Sequence, residues 1–196
     1  ALTATALCAQ SPSPAAEQPE KGGWFVYGIN SDVTSFNPYL STNTDTTKMT
    51  QFIFNRLLAF NDKLDMEGDL AEKWEVSPDN KTYTFWMKKG VKWHDGKDLT
   101  ADDVEFTLNY IKNPGLRTVR RTYVKDIVDD PKDRTKVAFK KIDSHTFSVT
   151  YKQPYCPALS HWSFISIMPK HVLEGKDPNE NVFSIDKAAP IGTDYR

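Results

Sequence analysis

Ala71-Glu72-Lys73-Trp74-Glu75-Val76-Ser77-Pro78-Asp79-Asn80-Lys81-Thr82-Tyr83-Thr84-Phe85-Trp86-Met87-Lys88-Lys89-Gly90-Val91-Lys92-Trp93-His94-Asp95-Gly96-Lys97 reads as two extended segments around a tight turn. Ser77-Pro78-Asp79-Asn80 supplies the turn, because proline presets φ at its second position and Asp79 and Asn80 bond their own backbone. After it, Tyr83, Phe85 and Met87 alternate with Thr82, Thr84 and Trp86, the period of two of a half-buried strand. Gly90 closes that strand, and Val91-Lys92-Trp93 runs into Asp95-Gly96, a dipeptide suited to a turn that needs positive φ.

Outward from the hairpin the pattern alternates between helix and strand. On the N-terminal side, Met49, Phe52, Ile53, Leu57 and Leu58 form an i, i+3, i+4, i+8, i+9 stripe that predicts a helix over 46–60, with Leu64 to Leu70 leading into the hairpin. Earlier still, Trp24-Phe25-Val26-Tyr27-Gly28-Ile29 is nearly continuous in apolar character, which predicts a first strand buried on both faces. On the C-terminal side, Thr100 is an N-cap with Asp103 three residues on, Val104, Leu108 and Ile111 form the inward stripe, and Asn113-Pro114-Gly115 ends the helix. From Tyr123 to Lys152 the pattern returns to sheet. Val137 and Phe139 alternate with charged neighbours, Asp143-Ser144-His145 turns the chain, and Phe147, Val149 and Tyr151 alternate on the return. Asp129 to Arg134 reads as a charged surface loop without the ligand spacing of a calcium site. The run Ala158 to Met168 is too short and serine-rich to span a membrane.

Composition narrows the function. A chain 39% hydrophobic and 12% aromatic with net charge −1 is an ordinary globular sequence, able to bury roughly 70% of the surface its unfolded form exposes. Near-neutral charge gives no electrostatic footprint for nucleic acid. Arg117, Arg120 and Arg121 make the tight basic cluster, read as a solvated face. With Cys8 and Cys156 the only cysteines, there is no disulfide framework, and Cys156 reads as a small buried residue. No pair among His94, His145, His161 and His171 has the i, i+4 spacing of a zinc protease, and neither a nucleophile elbow nor a phosphate-cradling glycine loop occurs. His94-Asp95 has the makings of a base and its orienter, but its place at a hairpin turn favours a structural role. These observations point away from an enzyme and imply no cofactor and no metal. Ala1 to Ala9 resembles the end of a secretory signal, and Ser11 to Pro19 has a linker's composition. Cys8 admits a lipid anchor, but Leu7 stands where a lipobox takes Gly, Ala or Ser, and cleavage after Ala9 is the alternative.

Asp69-Leu70-Ala71-Glu72, Trp74-Glu75-Val76-Ser77, Tyr83-Thr84-Phe85 and Lys89-Gly90-Val91-Lys92-Trp93-His94-Asp95-Gly96 form a long ordered string. Ser35-Phe36-Asn37-Pro38 precedes it, and Leu99-Thr100-Ala101-Asp102-Asp103-Val104 and Pro169-Lys170-His171 follow. Together they resemble the signature of the family 5 solute-binding proteins, extracytoplasmic receptors of ABC importers for dipeptides, oligopeptides and nickel. The resemblance implies a mixed α/β, periplasmic-binding-protein-like fold that closes on its ligand by hinge motion. Residues 1–21 would be tail, 22–45 and 158–196 a partial first lobe, and 46–157 an inserted α/β subdomain. The family continues past Pro190-Ile191-Gly192-Thr193, where this chain reads Asp194-Tyr195-Arg196, so the second large lobe is expected to be absent. The implied partners are a peptide or other small solute and an ABC permease in the membrane, with no nucleic acid. Self-association of the incomplete sheet is a further expectation, and the implied location is periplasmic or extracytoplasmic. Ligands collect beyond the carboxyl ends of strands, and in the resembled receptors the loop after the first strand offers main-chain groups to a peptide. By position that loop contributes Asp32, Val33, Thr34 and Ser35; the alternative is that Asn37-Pro38 simply turns the chain and Asp32 is solvated. A second functional reading is a tethered peptide-sensing or partner-docking module without a transport role.

Overall fold

A computed structural model describes residues 26–33 and 35–183; the expected signal remnant, the linker, Cys8, Trp24, Phe25, Thr34 and the Pro190–Arg196 end lie outside them. In chain order the elements are α1 (Thr44–Gln51), β1 (Leu58–Phe60), β2 (Met66–Gly68), β3 (Ala71–Val76), β4 (Thr82–Met87), α2 (Ala101–Lys112), a 3-10 turn (Arg120–Tyr123), β5 (Phe139–Lys141), β6 (Thr146–Thr150), α3 (Ala158–Trp162) and α4 (Lys170–Leu173). The architecture is mixed α/β.

The hairpin forms as its sequence dictates. β3 pairs antiparallel with β4, and Asn80 takes the left-handed conformation at φ 56° while its amide donates to the Ser77 carbonyl at 2.8 Å. Tyr83, Phe85 and Met87 are buried and Thr82, Thr84 and Trp86 half-buried, so the alternation sets one face of β4 against the core. On the outer face, Lys73 Nζ sits 4.1 Å from the Trp86 ring centroid. β4 then pairs with β6 and β6 with β5, giving a four-stranded antiparallel sheet in the order β3-β4-β6-β5. Phe85 lies opposite Phe147, their rings stacked at 5.4 Å, and Trp162 of α3 tilts onto Phe85 at 5.0 Å. Each such buried aromatic stabilises the fold by about 1.5–3 kcal/mol relative to exposure.

α2 packs through Val104, Leu108 and Ile111, all fully buried. Its start is the expected capping box. Thr100 accepts the Asp102 amide at 3.3 Å, and Asp103 Oδ2 accepts the Thr100 amide at 2.9 Å. Asn113 ends the helix.

Four local expectations are corrected. The 46–60 stripe is not one helix: α1 stops at Gln51, Phe52 is half-exposed, and 58–60 is β1, paired antiparallel with β2. The turn between them, with the Asn61 side chain accepting the amides of Lys63 and Asp65 at 2.9 Å, competes successfully with helix extension. Val26 to Ile29 is irregular and exposed, Val26 at 91%, because among the described residues no segment offers it a ladder. Tyr123 belongs to the 3-10 turn rather than to a strand. Cys156 is exposed, not buried, in the bend before α3 where Ala158 takes the inward place.

Candidate functional site

The loop 30–37 is held at both ends by short polar residues. Asn43 caps α1, its Oδ1 accepting the Asp45 amide at 2.7 Å and its Nδ2 donating to Ser31 Oγ at 2.8 Å. Asp45, buried in the helix's first turn where a negative charge meets free amides, accepts the Asn30 amide at 3.1 Å and the Ser31 hydroxyl at 2.9 Å. At the far end Asn37 is fully buried; its Oδ1 accepts the Tyr39 amide at 2.9 Å and its Nδ2 donates to Tyr110 Oη at 3.0 Å. Tyr110 Oη donates in turn to the Pro178 carbonyl at 2.6 Å, and its burial raises its pKa. Ser35 Oγ accepts the Asn37 amide at 3.0 Å and donates to Asn181 Oδ1 at 2.5 Å, while the Phe36 amide donates to the Phe183 carbonyl at 2.9 Å.

Between these clamps Asp32 is exposed and Val33 buried. Among the described residues, no backbone hydrogen bond joins Asp32 or Val33 to another segment. A loop held at both ends in this way suits an extended ligand backbone. The Ser35 hydroxyl is engaged internally, and Thr34 lies outside the described residues.

α1 joins this loop to a second group of residues. Thr47 Oγ1 donates to the Asn43 carbonyl at 3.1 Å and accepts Arg120 Nη2 at 3.0 Å. Arg120 Nη1 reaches Tyr123 Oη at 3.5 Å. Tyr123 stacks on Phe164 at 6.2 Å and tilts against His161 at 5.0 Å, and Tyr27 meets Phe52 edge-on at 6.2 Å. Tyr27, Phe52 and Phe164 are all substantially exposed. Burial lowers the pKa of His161 beside this group.

The basic cluster corrects the solvated-face reading. Arg117 is exposed, but Arg120 and Arg121 are half-buried, and Arg121 Nη2 donates to the carbonyls of Asn113 (2.9 Å) and Leu116 (2.7 Å). Carbonyls in the turn that follows a helix attract such a donor, and no local sequence signal separates it from a surface arginine. A second pairing was also hidden. Asp95 is partnered by His171, Nε2 to Oδ2 at 2.7 Å. Among the described residues no three His, Cys, Asp or Glu side chains converge as metal ligands, and no helix is long and apolar enough to cross a membrane. A groove of about 580 Å³ between α2 and the 170–178 segment shares only Tyr110 and Pro178 with the loop's anchors.

Residues 65–194 match the family described as bacterial extracellular solute-binding proteins, family 5. The chain belongs to this family. Members of family 5 bind solutes and are not enzymes. The dipeptide-binding protein of Escherichia coli K12 is 34% identical over 182 residues, covering 86% of this chain and 34% of that protein. Oligopeptide-binding protein AppA of Bacillus subtilis is 33% identical over 190 residues, 93% of this chain and 32% of that protein. The chain thus spans about a third of the length of the curated relatives it matches. In three dimensions it is similar to NikZ from Campylobacter jejuni in complex with Ni(L-His), at TM-score 0.71 and 27% identity over 84% of this chain and 30% of that one. It is also similar to Bacillus subtilis AppA in complex with a nonapeptide, at TM-score 0.70 and 27% identity over 82% of this chain and 31% of that one. The family 5 fold is periplasmic-binding-protein-like, in agreement with the mixed α/β architecture.

Proposed function

We propose that this chain forms part of an extracytoplasmic solute-binding receptor of an ABC importer, with di- or oligopeptides as cargo. The observation that carries the reading is the loop around Asp32 and Val33, clamped by Asn43, Asp45 and Asn37 and tied through α1 to Arg120. Asp32, Val33, Thr34 and Ser35 are the proposed contacts, through their main-chain groups. The names of the dipeptide- and oligopeptide-binding relatives support peptides over other solutes. In this reading residues 22–45 and 158–196 belong to the first lobe and 46–157 to an inserted subdomain, the partner is a membrane permease, and the apolar segment from Val26 to Ile29 is the place where copies would associate.

The 196 residues supply one wall of the cleft, so the chain alone is expected to bind di- and tripeptides saturably but weakly. Calorimetric titration with a small peptide panel checks this. A sub-micromolar dissociation constant would show that one wall suffices, and the absence of any saturable peptide binding by the chain, alone or within a longer receptor, would remove the peptide reading.

A further inference from the structure

The outward side of α2 is unlike that of a solvated helix. Opposite the buried stripe of Val104, Leu108 and Ile111, the positions Asp102, Glu105, Phe106, Asn109 and Asn113 recur at helical spacing and line the groove described above. Lys170, Leu173 and the turn at Gly175, with φ 79°, line it from the other side. A cavity of about 580 Å³ is of the size that holds a small molecule. Half-buried Phe106, its ring stacked with that of Tyr110 at 5.9 Å, gives this one an apolar stretch.

The acceptors along the helix are accounted for with one exception. Asp102 receives Lys141 Nζ on both oxygens at 2.7 Å. Asn109 Oδ1 accepts the Val137 amide and Asn113 Oδ1 the Gly115 amide, each at 2.9 Å. Across the groove, Glu174 is paired with Lys170 at 3.7 Å, and Lys136 is taken by Asp133 at 3.4 Å. Glu105 is half-buried, yet among the described residues its carboxylate has neither a hydrogen bond nor an ion pair. Burial raises its pKa and Asp102 adds to the rise, while Lys170, Lys141 and Lys136 offset this only in part. Lys176, at the exposed rim, keeps its hydration. The group with most to gain from a partner is therefore the acid, because a carboxylate partly removed from water and left unpaired is destabilising.

We propose that this groove binds a small alkylammonium ion, its nitrogen on the Glu105 carboxylate and its apolar stem along Phe106 and Leu173. The donor set selects that class. A neutral alcohol leaves the Glu105 charge uncompensated, and an anion is repelled by it. A divalent metal ion needs several oxygen ligands, and here one carboxylate is unengaged. An ammonium group instead gains a charge-assisted hydrogen bond from a single carboxylate, and an aromatic ring beside it adds the attraction of its negative face. The inference stands apart from the receptor reading. None of Asp32, Val33 and Ser35 lines the groove, which meets the anchors of their loop only through Tyr110 and Pro178.

The test is a proton–nitrogen NMR titration of the 196-residue chain that follows backbone amide signals. Three probes of one shape are used: butylamine at neutral pH, where it is charged, butan-1-ol and butyrate. Butylamine is expected to move the amides of Glu105, Phe106, Leu173 and Gly175 saturably, butan-1-ol to bind at least about tenfold more weakly, and butyrate not to bind. Glu105→Gln should weaken butylamine by about tenfold, the loss of one charge-assisted hydrogen bond. Glu105→Asp, which keeps the charge on a shorter stem, should fall between, and the backbone spectrum of each variant establishes that it folds. Equal affinity for butan-1-ol, or butyrate bound as well as butylamine, would overturn the proposal. So would butylamine shifts that survive Glu105→Gln, or that spread without saturation over the surface acids. Each of these results leaves the peptide-receptor reading untouched, since peptide binding is read at the loop.

Discussion

Asp103 joins two parts of the chain that are far apart in sequence. One carboxylate oxygen accepts the Thr100 amide and so closes the capping box; the other accepts the Lys170 amide at 2.9 Å and fixes the start of α4. Because the residue is 4% exposed, removing it orphans two part-buried donors. Asp103→Ala is expected to lower stability by about 2–3 kcal/mol, the sum of a lost cap and an unsatisfied amide, read from urea denaturation. Thr100 and Asp103 were legible as a cap from their spacing. The tie to Lys170 was not, since nothing local marks a contact 67 positions away. His161 carries the pH dependence. Burial lowers its pKa in the folded chain, so its contribution is fully present above the unfolded value near pH 6.5 and is lost as pH falls through the depressed one. Stability should therefore decline as the pH falls below about 6.5, and His161→Gln should flatten that slope; an unchanged slope would assign it to other groups.

Among elements, the β3–β4 hairpin was readable because one period fits it and two turn signals bound it. Gly96, at φ 84° with open space around its Cα, owes its place to the backbone alone. Gly96→Ala is expected to cost about 1–2 kcal/mol, and Gly96→Asn less, since asparagine tolerates the left-handed region; thermal melts distinguish them. Phe85→Ala, by contrast, would empty the centre of the core and cost about 3–5 kcal/mol. The stretch from Phe52 to Phe60 was misread because its apolar spacing fits a helix as well as it fits a bend followed by a strand. Leu57 and Leu58 are both fully buried although adjacent, which a surface helix and a simple two-sided strand each accommodate only with cover from other elements. That cover comes in part from Ile167, whose amide donates to the Asn55 carbonyl at 3.0 Å, and such cover is invisible to local pattern. The loop at Asp32 was placed by resemblance, whereas the bonds of Arg120 to Thr47 and of Arg121 to the Asn113 and Leu116 carbonyls carry no local signal in the sequence.

For the molecule as a whole, the edges of the four-stranded sheet carry Lys73 and Glu75 on β3 and Lys140 and Lys141 on β5. Charges there discourage edge-to-edge pairing. Association of copies, if it follows the proposed route, therefore runs through the exposed apolar residues Val26 and Ile29. Light scattering should show a mass that rises with concentration and returns to that of a monomer in the double variant Val26→Lys, Ile29→Lys; a strictly monomeric parent chain would count against association. The order β3-β4-β6-β5 has one more consequence. Its outer pairs are hairpins or near-neighbours, but its centre joins Thr82 to Thr150, 68 positions apart. Closing so long a loop is entropically costly before any contact rewards it. The hairpins are thus free to form early while the second edge of β4 waits unpaired for β6. Folding of this chain should be limited by that encounter, and the interval before it is when Tyr83, Phe85 and Met87 are most open to a chaperone or to another unfolded copy.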